Sequence, residues 1–175
     1  MDDNAFPRNI HSTLPAAADQ PPRADDAIRQ FVGKKADYYL GKWVDGGNSF
    51  NVAGFFLGPA WLLYRKMYRP AGLILAALLI ETMLEIILFP DMSESTSTAL
   101  SRAIGLGVAG LIGTFGNGWY KTHVEKAVSD LQAIHAPAES YVRQGGTSWA
   151  VAILGSLGFL LLLFLVIAAL LPEGY

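Results

Sequence analysis

"WAVAILGSLGFLLLLFLVIAALL", residues 149–171, contains no charged side chain. A helix of that length measures about 35 Å at the usual rise per residue, and the hydrocarbon core of a bilayer is about 30 Å thick. The run therefore predicts a transmembrane helix with some tilt. Two further apolar runs take their meaning from it. "AGLILAALLIETMLEIILF" (71–89) carries two glutamates, and "ALSRAIGLGVAGLIGTFGNGWY" (99–120) is glycine-rich with one arginine. Alone, each reads equally as a buried helix of a soluble protein. Beside the third run, both are expected to span. The expected fold is an all-α membrane protein with three transmembrane helices, a short interfacial or re-entrant helix and amphipathic cytoplasmic helices.

Composition agrees. Hydrophobic residues make up 52% of the 175 and charged residues 16%, against about 25% charged in a soluble domain. A net charge of -2 offers no basic field, so no nucleic-acid partner is expected. The absence of cysteine excludes disulfides, thiolate nucleophiles and cysteine-ligated metals. Residues 1–26, rich in Pro, Ala and Asp, read as a disordered cytoplasmic tail, without the apolar stretch of a signal peptide.

Loop charges predict the threading. Arg65, Lys66 and Arg69 precede the first span; Lys121, Lys126 and Arg143 lie between the second and third. The 90–98 loop holds Asp91 and Glu94 and no cation. By the positive-inside rule, the N-terminus and the 121–147 loop are cytoplasmic; the 90–98 loop and the short tail 172–175 lie outside, periplasmic or extracellular. Trp61, Tyr64, Arg65, Lys66, Arg69, Trp119 and Trp149 are the expected membrane-interface anchors, with Trp43 at the same level.

Within segment 48–69, residues 52–63 are apolar but reach only about 18 Å as a helix. Both flanks belong on the cytoplasmic side, so the segment does not cross. The cost of bare turning backbone in lipid favours a helix lying flat or packed on the spans over a re-entrant loop turning near Gly58-Pro59. Upstream, in 27–47, Ile28, Val32, Tyr39 and Trp43 share a helical face, best formed over 34–44. Its lysines and aromatic rings suit either a membrane surface or packing on the rest of the chain. Downstream, Val124, Val128, Leu131 and Ile134 recur at helical spacing, so the second span is expected to continue over 121–136 as a cytoplasmic helix ending before Pro137. The three-span domain occupies 70–171.

"GLGVAG" at 105–110 has the spacing of a dinucleotide loop but lacks the strand before it. It reads better as packing surface: Ser101, Gly105, Ala109 and Gly113 form one small-residue ladder, and Gly110, Thr114 and Gly118 another. Ser148, Ala152 and Ser156 of the last span are expected to face them. Glu81 and Glu85 share a face of the first span. Glu85 and Arg102 lie at similar depth, so antiparallel neighbouring spans would pair them. Glu81, a turn deeper, has no obvious cation and is the candidate for proton or ion handling. His11, His123 and His135 have no metal-ligand spacing. No catalytic set is apparent, and no cofactor or metal is expected.

"FVGKKADYYLGKW" (31–43), "FNVAGFFLGPAWLLYRKMY" (50–68) and "GNGWY" (116–120) resemble the domain of unknown function 2628 family, small bacterial integral membrane proteins. The resemblance covers roughly 31–124, with Gly54 where the family pattern has Ala. It implies a membrane address and a shared architecture, and lends no activity or catalytic residue; the inner membrane is the expected location. The expected role is a non-enzymatic accessory or interaction subunit that associates with itself or with a larger membrane complex. The alternative is a small transporter or channel-like protein using Glu81 and Glu85. A membrane-bound enzyme has the least support.

Overall fold

A computed structural model describes residues 22–44, 46–47 and 49–170. Most of the expected N-terminal tail and the tail 172–175 fall outside the described residues. Within them the tail is shorter than expected, because Ala24, Asp25 and Asp26 already belong to the first helix, α1 (Ala24–Val32). A 3-10 turn (Gly33–Lys35) leads into α2 (Ala36–Trp43). Then follow α3 (Val52–Leu57), α4 (Pro59–Tyr64), α5 (Tyr68–Leu88), α6 (Glu94–Ala133), α7 (Ala138–Gln144) and α8 (Trp149–Leu170). All regular structure among the described residues is helical. Three helices are long and apolar enough to cross a membrane: α5, α6 and the one ending at Leu170.

The helix ends follow local chemistry. Asn51 caps α3, its Oδ1 accepting from Gly54 N at 2.8 Å, as short polar side chains do at N-caps. Gly58, at φ 54°, stops α3, and Pro59 begins α4. Proline is preorganised for a first helical position and glycine for the positive φ before it. The apolar run 52–63 is therefore two short helices and not one flat helix. Ser93 caps α6, its Oγ accepting from Thr96 N at 3.3 Å. At the far ends, α4 and α6 close with the same device. Met67 N donates to Leu62 O at 2.9 Å and Lys66 N to Leu63 O at 3.0 Å; Ala136 N donates to Leu131 O at 2.9 Å and His135 N to Gln132 O at 3.0 Å. These are Schellman closures. Each places a non-glycine residue at positive φ, Lys66 at 59° and His135 at 51°.

Consecutive spans are not packed as sequence order suggests. α3 lies on α6, α4 on both α5 and α8, and α5 on α8. The α3–α4 pair thus links α6 to the other two spans, and α5 and α6 are not close neighbours. The small-residue face of α8 takes α4 instead of the α6 ladder: Ala152 is buried, and Leu63 closes over Gly155. α1 packs on α6 and α7, and α2 on α6.

The core gathers at one end of the spans. Trp61, Leu62, Met67, Ile112, Tyr120, Val124 and Tyr141 are fully buried there. Each such side chain contributes about 1.5–3 kcal/mol if the reference is water. By contrast α5 buries only Ala71 and α8 only Ala152. Most of their apolar surface faces outward, as a lipid environment allows. In the lower part of α6, Val124, Val128 and Leu131 are buried while Ile134 stays exposed, because the helix has ended before it.

Candidate functional site

The three motif segments meet at this core. The first contact is an asparagine junction. Asn51 N donates to the Gly113 carbonyl at 2.7 Å, which docks the start of α3 on α6. Asn117, one turn further along α6, donates from Nδ2 to the Ser49 carbonyl at 2.8 Å, with Ser49 Oγ at 3.2 Å. Trp43 Nε1 donates to the Asn117 carbonyl at 3.1 Å. Both asparagines are buried, so these bonds satisfy groups that would otherwise cost about 1–3 kcal/mol each, although Asn51 Nδ2 has no partner among the described residues. The approach is close because glycines line it. A Cβ on Gly54 would sit 2.9 Å from Ile112 Cγ2, and one on Gly113 would sit 2.7 Å from the Phe50 ring.

The second contact is an aromatic cage around a buried cation. Arg65 is only 5% exposed. Its guanidinium carbon lies 4.4 Å from the ring centre of Tyr39, 5.0 Å from Tyr120 and 5.5 Å from Tyr64. Nε and Nη1 have no hydrogen-bond partner among the described residues. A buried, unpaired cation costs several kcal/mol, and three ring faces offset part of that. Burial pushes the Tyr39 phenol above its ordinary pKa, and the Arg65 charge opposes the shift. Trp61 stands edge-on to Tyr120, ring centres 6.2 Å apart.

Among the expected interface anchors, Trp61 and Arg65 are therefore core residues. Trp61 is 1% exposed because α4 is enclosed by α3, α5 and α8. Trp43 is buried as well. Tyr64 packs on Trp149 at 4.6 Å, and Trp149 is exposed. Trp119 stacks on Phe115 at 6.2 Å. Arg69 is exposed, and Lys66 Nζ donates to the Arg143 carbonyl at 2.9 Å. The segment 27–47, which suited a membrane surface or the protein equally, packs on the protein: Phe31, Val32, Tyr39 and Trp43 are all buried.

The structure does not bring the charged residues of the spans together. The ion pairs among the described residues are Arg29–Asp37, Lys121–Glu125 and Lys126–Asp130. Glu85 and Arg102 form none, because α5 and α6 are separated. Glu85 is half-buried and Arg102 exposed. Glu81 is half-buried, its Oε1 without a partner among the described residues. The ladder divides. Gly113 is filled by Phe50 and Phe55, whereas a Cβ on Gly105, Gly107 or Gly110 would meet nothing within 4 Å. Ser101 is exposed and Ala109 half-buried. His123 packs on Phe31 at 6.0 Å, and His135 is the exposed residue of the α6 closure. His11 lies outside the described residues.

Sequence reading singled out the anchors by residue type and missed the roles of Asn51, Asn117, Tyr39 and Tyr120. The signal was present in the quoted motifs, which contain all four. These features define an all-helical protein whose three span-length helices are tied together at one end by a motif-built junction. The family model described as "Protein of unknown function (DUF2628)" matches residues 31–126, more than half of the chain, and the chain belongs to that family. The match encloses both the asparagine junction and the Arg65 cage. No curated protein and no solved structure matches the chain.

Proposed function

We propose that the protein is a three-span inner-membrane protein, N-terminus cytoplasmic, that works by association, with itself or with a larger membrane complex, and not by catalysis. One observation carries this reading. The outer half of α6 is bare: Gly105, Gly107 and Gly110 face open space, and Leu106 is 68% exposed. Lipid tails pack poorly against a glycine-notched helix, whereas a second helix approaches closely. Arg102 on the same stretch has no ion-pair partner among the described residues, and a lone cation at depth is costly. On this reading α3–α4 is a non-spanning segment packed on the spans, broken at Gly58.

The test is Gly105→Leu, read as oligomeric state in mild detergent and as co-purifying proteins. Gly105 is exposed and a Cβ there meets nothing within 4 Å, so the fold should persist while the association is lost. A variant that keeps both the wild-type oligomer and its co-purifying proteins would defeat the reading. The unpaired Glu81 Oε1 favours a second reading, ion handling. Glu81→Gln separates the two, since it should leave association intact and abolish only proton- or ion-dependent flux.

A further inference from the structure

Beside the cage, the surface opens into two adjoining concavities. One, of about 380 Å³, is bordered by Phe31, Lys66, His123 and Arg143. The other, of about 530 Å³, continues along Arg69 and Lys126. They share Lys66, Tyr68, His123 and Ala127, so they form one groove. Its walls are the α4–α5 junction, the stretch of α6 around 123–130 and the end of α7.

The charge of this groove is one-sided. Lys66, Arg69, Lys126 and Arg143 line it against a single carboxylate, Asp130. Lys126 holds Asp130 at 3.4 Å, but both side chains are well exposed, and such pairs are weak. The Arg69 and Arg143 guanidiniums have no ion-pair partner among the described residues. Lys66 spends one of its three N–H donors on the Arg143 carbonyl. Its backbone is also held at φ 59°, where glycine would be cheaper. Strain of this kind persists where the surroundings fix a side chain in place. Here the Schellman turn and the Nζ bond together fix Lys66 at the centre of the groove.

We propose that this groove binds a phosphate-bearing anion, drawn either from a phospholipid headgroup or from solution. Guanidinium forks match phosphate oxygens in pairs, and the volume lies in the range of small-ligand sites. Tyr68 and Arg69 open the span-length helix α5, so the groove sits at the end of an apolar segment. Basic pockets between helices at that level are where anionic headgroups are held. The proposal rests on the spans lying in a bilayer but not on self-association. Failure of the groove would leave the Gly105 test unaffected.

The experiment uses the full chain in phosphatidylcholine nanodiscs, with and without phosphatidylglycerol, and separately with inorganic phosphate added to the phosphatidylcholine discs. Thermal unfolding is the readout. Arg69→Gln with Arg143→Gln is compared with Lys34→Gln and Lys35→Gln, an equal charge loss at an exposed corner. Stabilisation by phosphatidylglycerol alone assigns a headgroup, and stabilisation by phosphate assigns a solute. Each groove cation removed should raise the half-saturating concentration about fivefold, with the control pair unchanged. Arg69→Gln alone, at an exposed side chain, carries the same comparison if the double variant does not fold. No stabilisation by either anion, or equal loss in groove and control variants, overturns the proposal.

Discussion

The Arg65 guanidinium lies over the face of Tyr39, its carbon 4.4 Å from the ring centre, although 26 residues and two helix breaks separate them. Desolvated cation–π contacts are worth about 2 kcal/mol, and a guanidinium is better suited to ring faces than an ammonium. Arg65→Lys should therefore destabilise the protein despite keeping the charge. Tyr39→Leu should cost more than Arg65→Met, since it leaves a buried cation with fewer partners. A double-variant cycle of Arg65→Met and Tyr39→Leu, read by denaturation in detergent, should show coupling of about 1–2 kcal/mol. Additive losses would mean the ring does not stabilise the charge.

The junction at Asn117 makes a graded prediction. Asn117→Ala removes the donor to the half-buried Ser49 carbonyl and should cost about 1–3 kcal/mol. Ser49→Ala removes only the longer hydroxyl contact at 3.2 Å and should cost less than about 0.5 kcal/mol. Equal losses in thermal unfolding would show that the carbonyl bond is not the important one.

Glycine substitutions should sort by position along the chain. A Cβ on Gly145 would run into the Phe31 carbonyl, whose oxygen already accepts from Gly146 N at 2.6 Å. Gly145→Ala should therefore separate α7 from α1 and cost more than about 3 kcal/mol. Gly113→Ala collides with Phe50 and should cost about 1–3 kcal/mol. Gly105→Ala meets nothing and should leave intrachain stability unchanged or slightly raised. Similar unfolding midpoints for all three would contradict the packing described.

His135 offers the opposite sign. It is exposed and sits at φ 51° in the closure of α6. His135→Gly should raise stability by about 0.5–1 kcal/mol, because glycine adopts that backbone without steric cost. Lys66→Gly relieves a similar angle but loses the bond to Arg143, so it should gain less or lose. Equal gains from the two would show that the Lys66 side chain contributes nothing.

Threading can be read with single cysteines. Ser95→Cys, in the cation-free first turn of α6, should react with an impermeant thiol reagent in intact cells, and Ser129→Cys should not. Both positions are exposed in the structure, so accessibility within the protein does not decide the outcome. Labelling at Ser129 in sealed cells would reverse the orientation.

What the sequence revealed and what it concealed have different physical origins. The charge-free run before Leu170 and the Gly58-Pro59 break are local facts, set by residues beside one another, and the structure shows a long helix and a break there. The burial of Trp61 and Arg65 is not local. Both side chains suit a membrane interface by type, and they are buried because α3, α5 and α8 enclose α4 while Tyr39 of α2 and Tyr120 of α6 close over them. The Glu85–Arg102 pair assumed that spans adjacent in sequence are adjacent in space. The short α3–α4 pair, which receives α6 on one side and α5 and α8 on the other, removes that adjacency. Tyr39, Asn51, Asn117 and Tyr120 lie in recognisable motifs, but what they touch is set by the fold.

α6 runs for 40 residues without a break, about 60 Å of continuous helix. It has no proline to break it, so a tilt at one end is carried along its length. A tilt of about 10° at its Ser93-capped end carries the far end about 10 Å sideways over that length. α1, α2 and α3 are mounted on this rod and would travel with it. A displacement of the Ser93-capped end would therefore reach both the cage and the groove, since Tyr120 and His123 stand on the same helix.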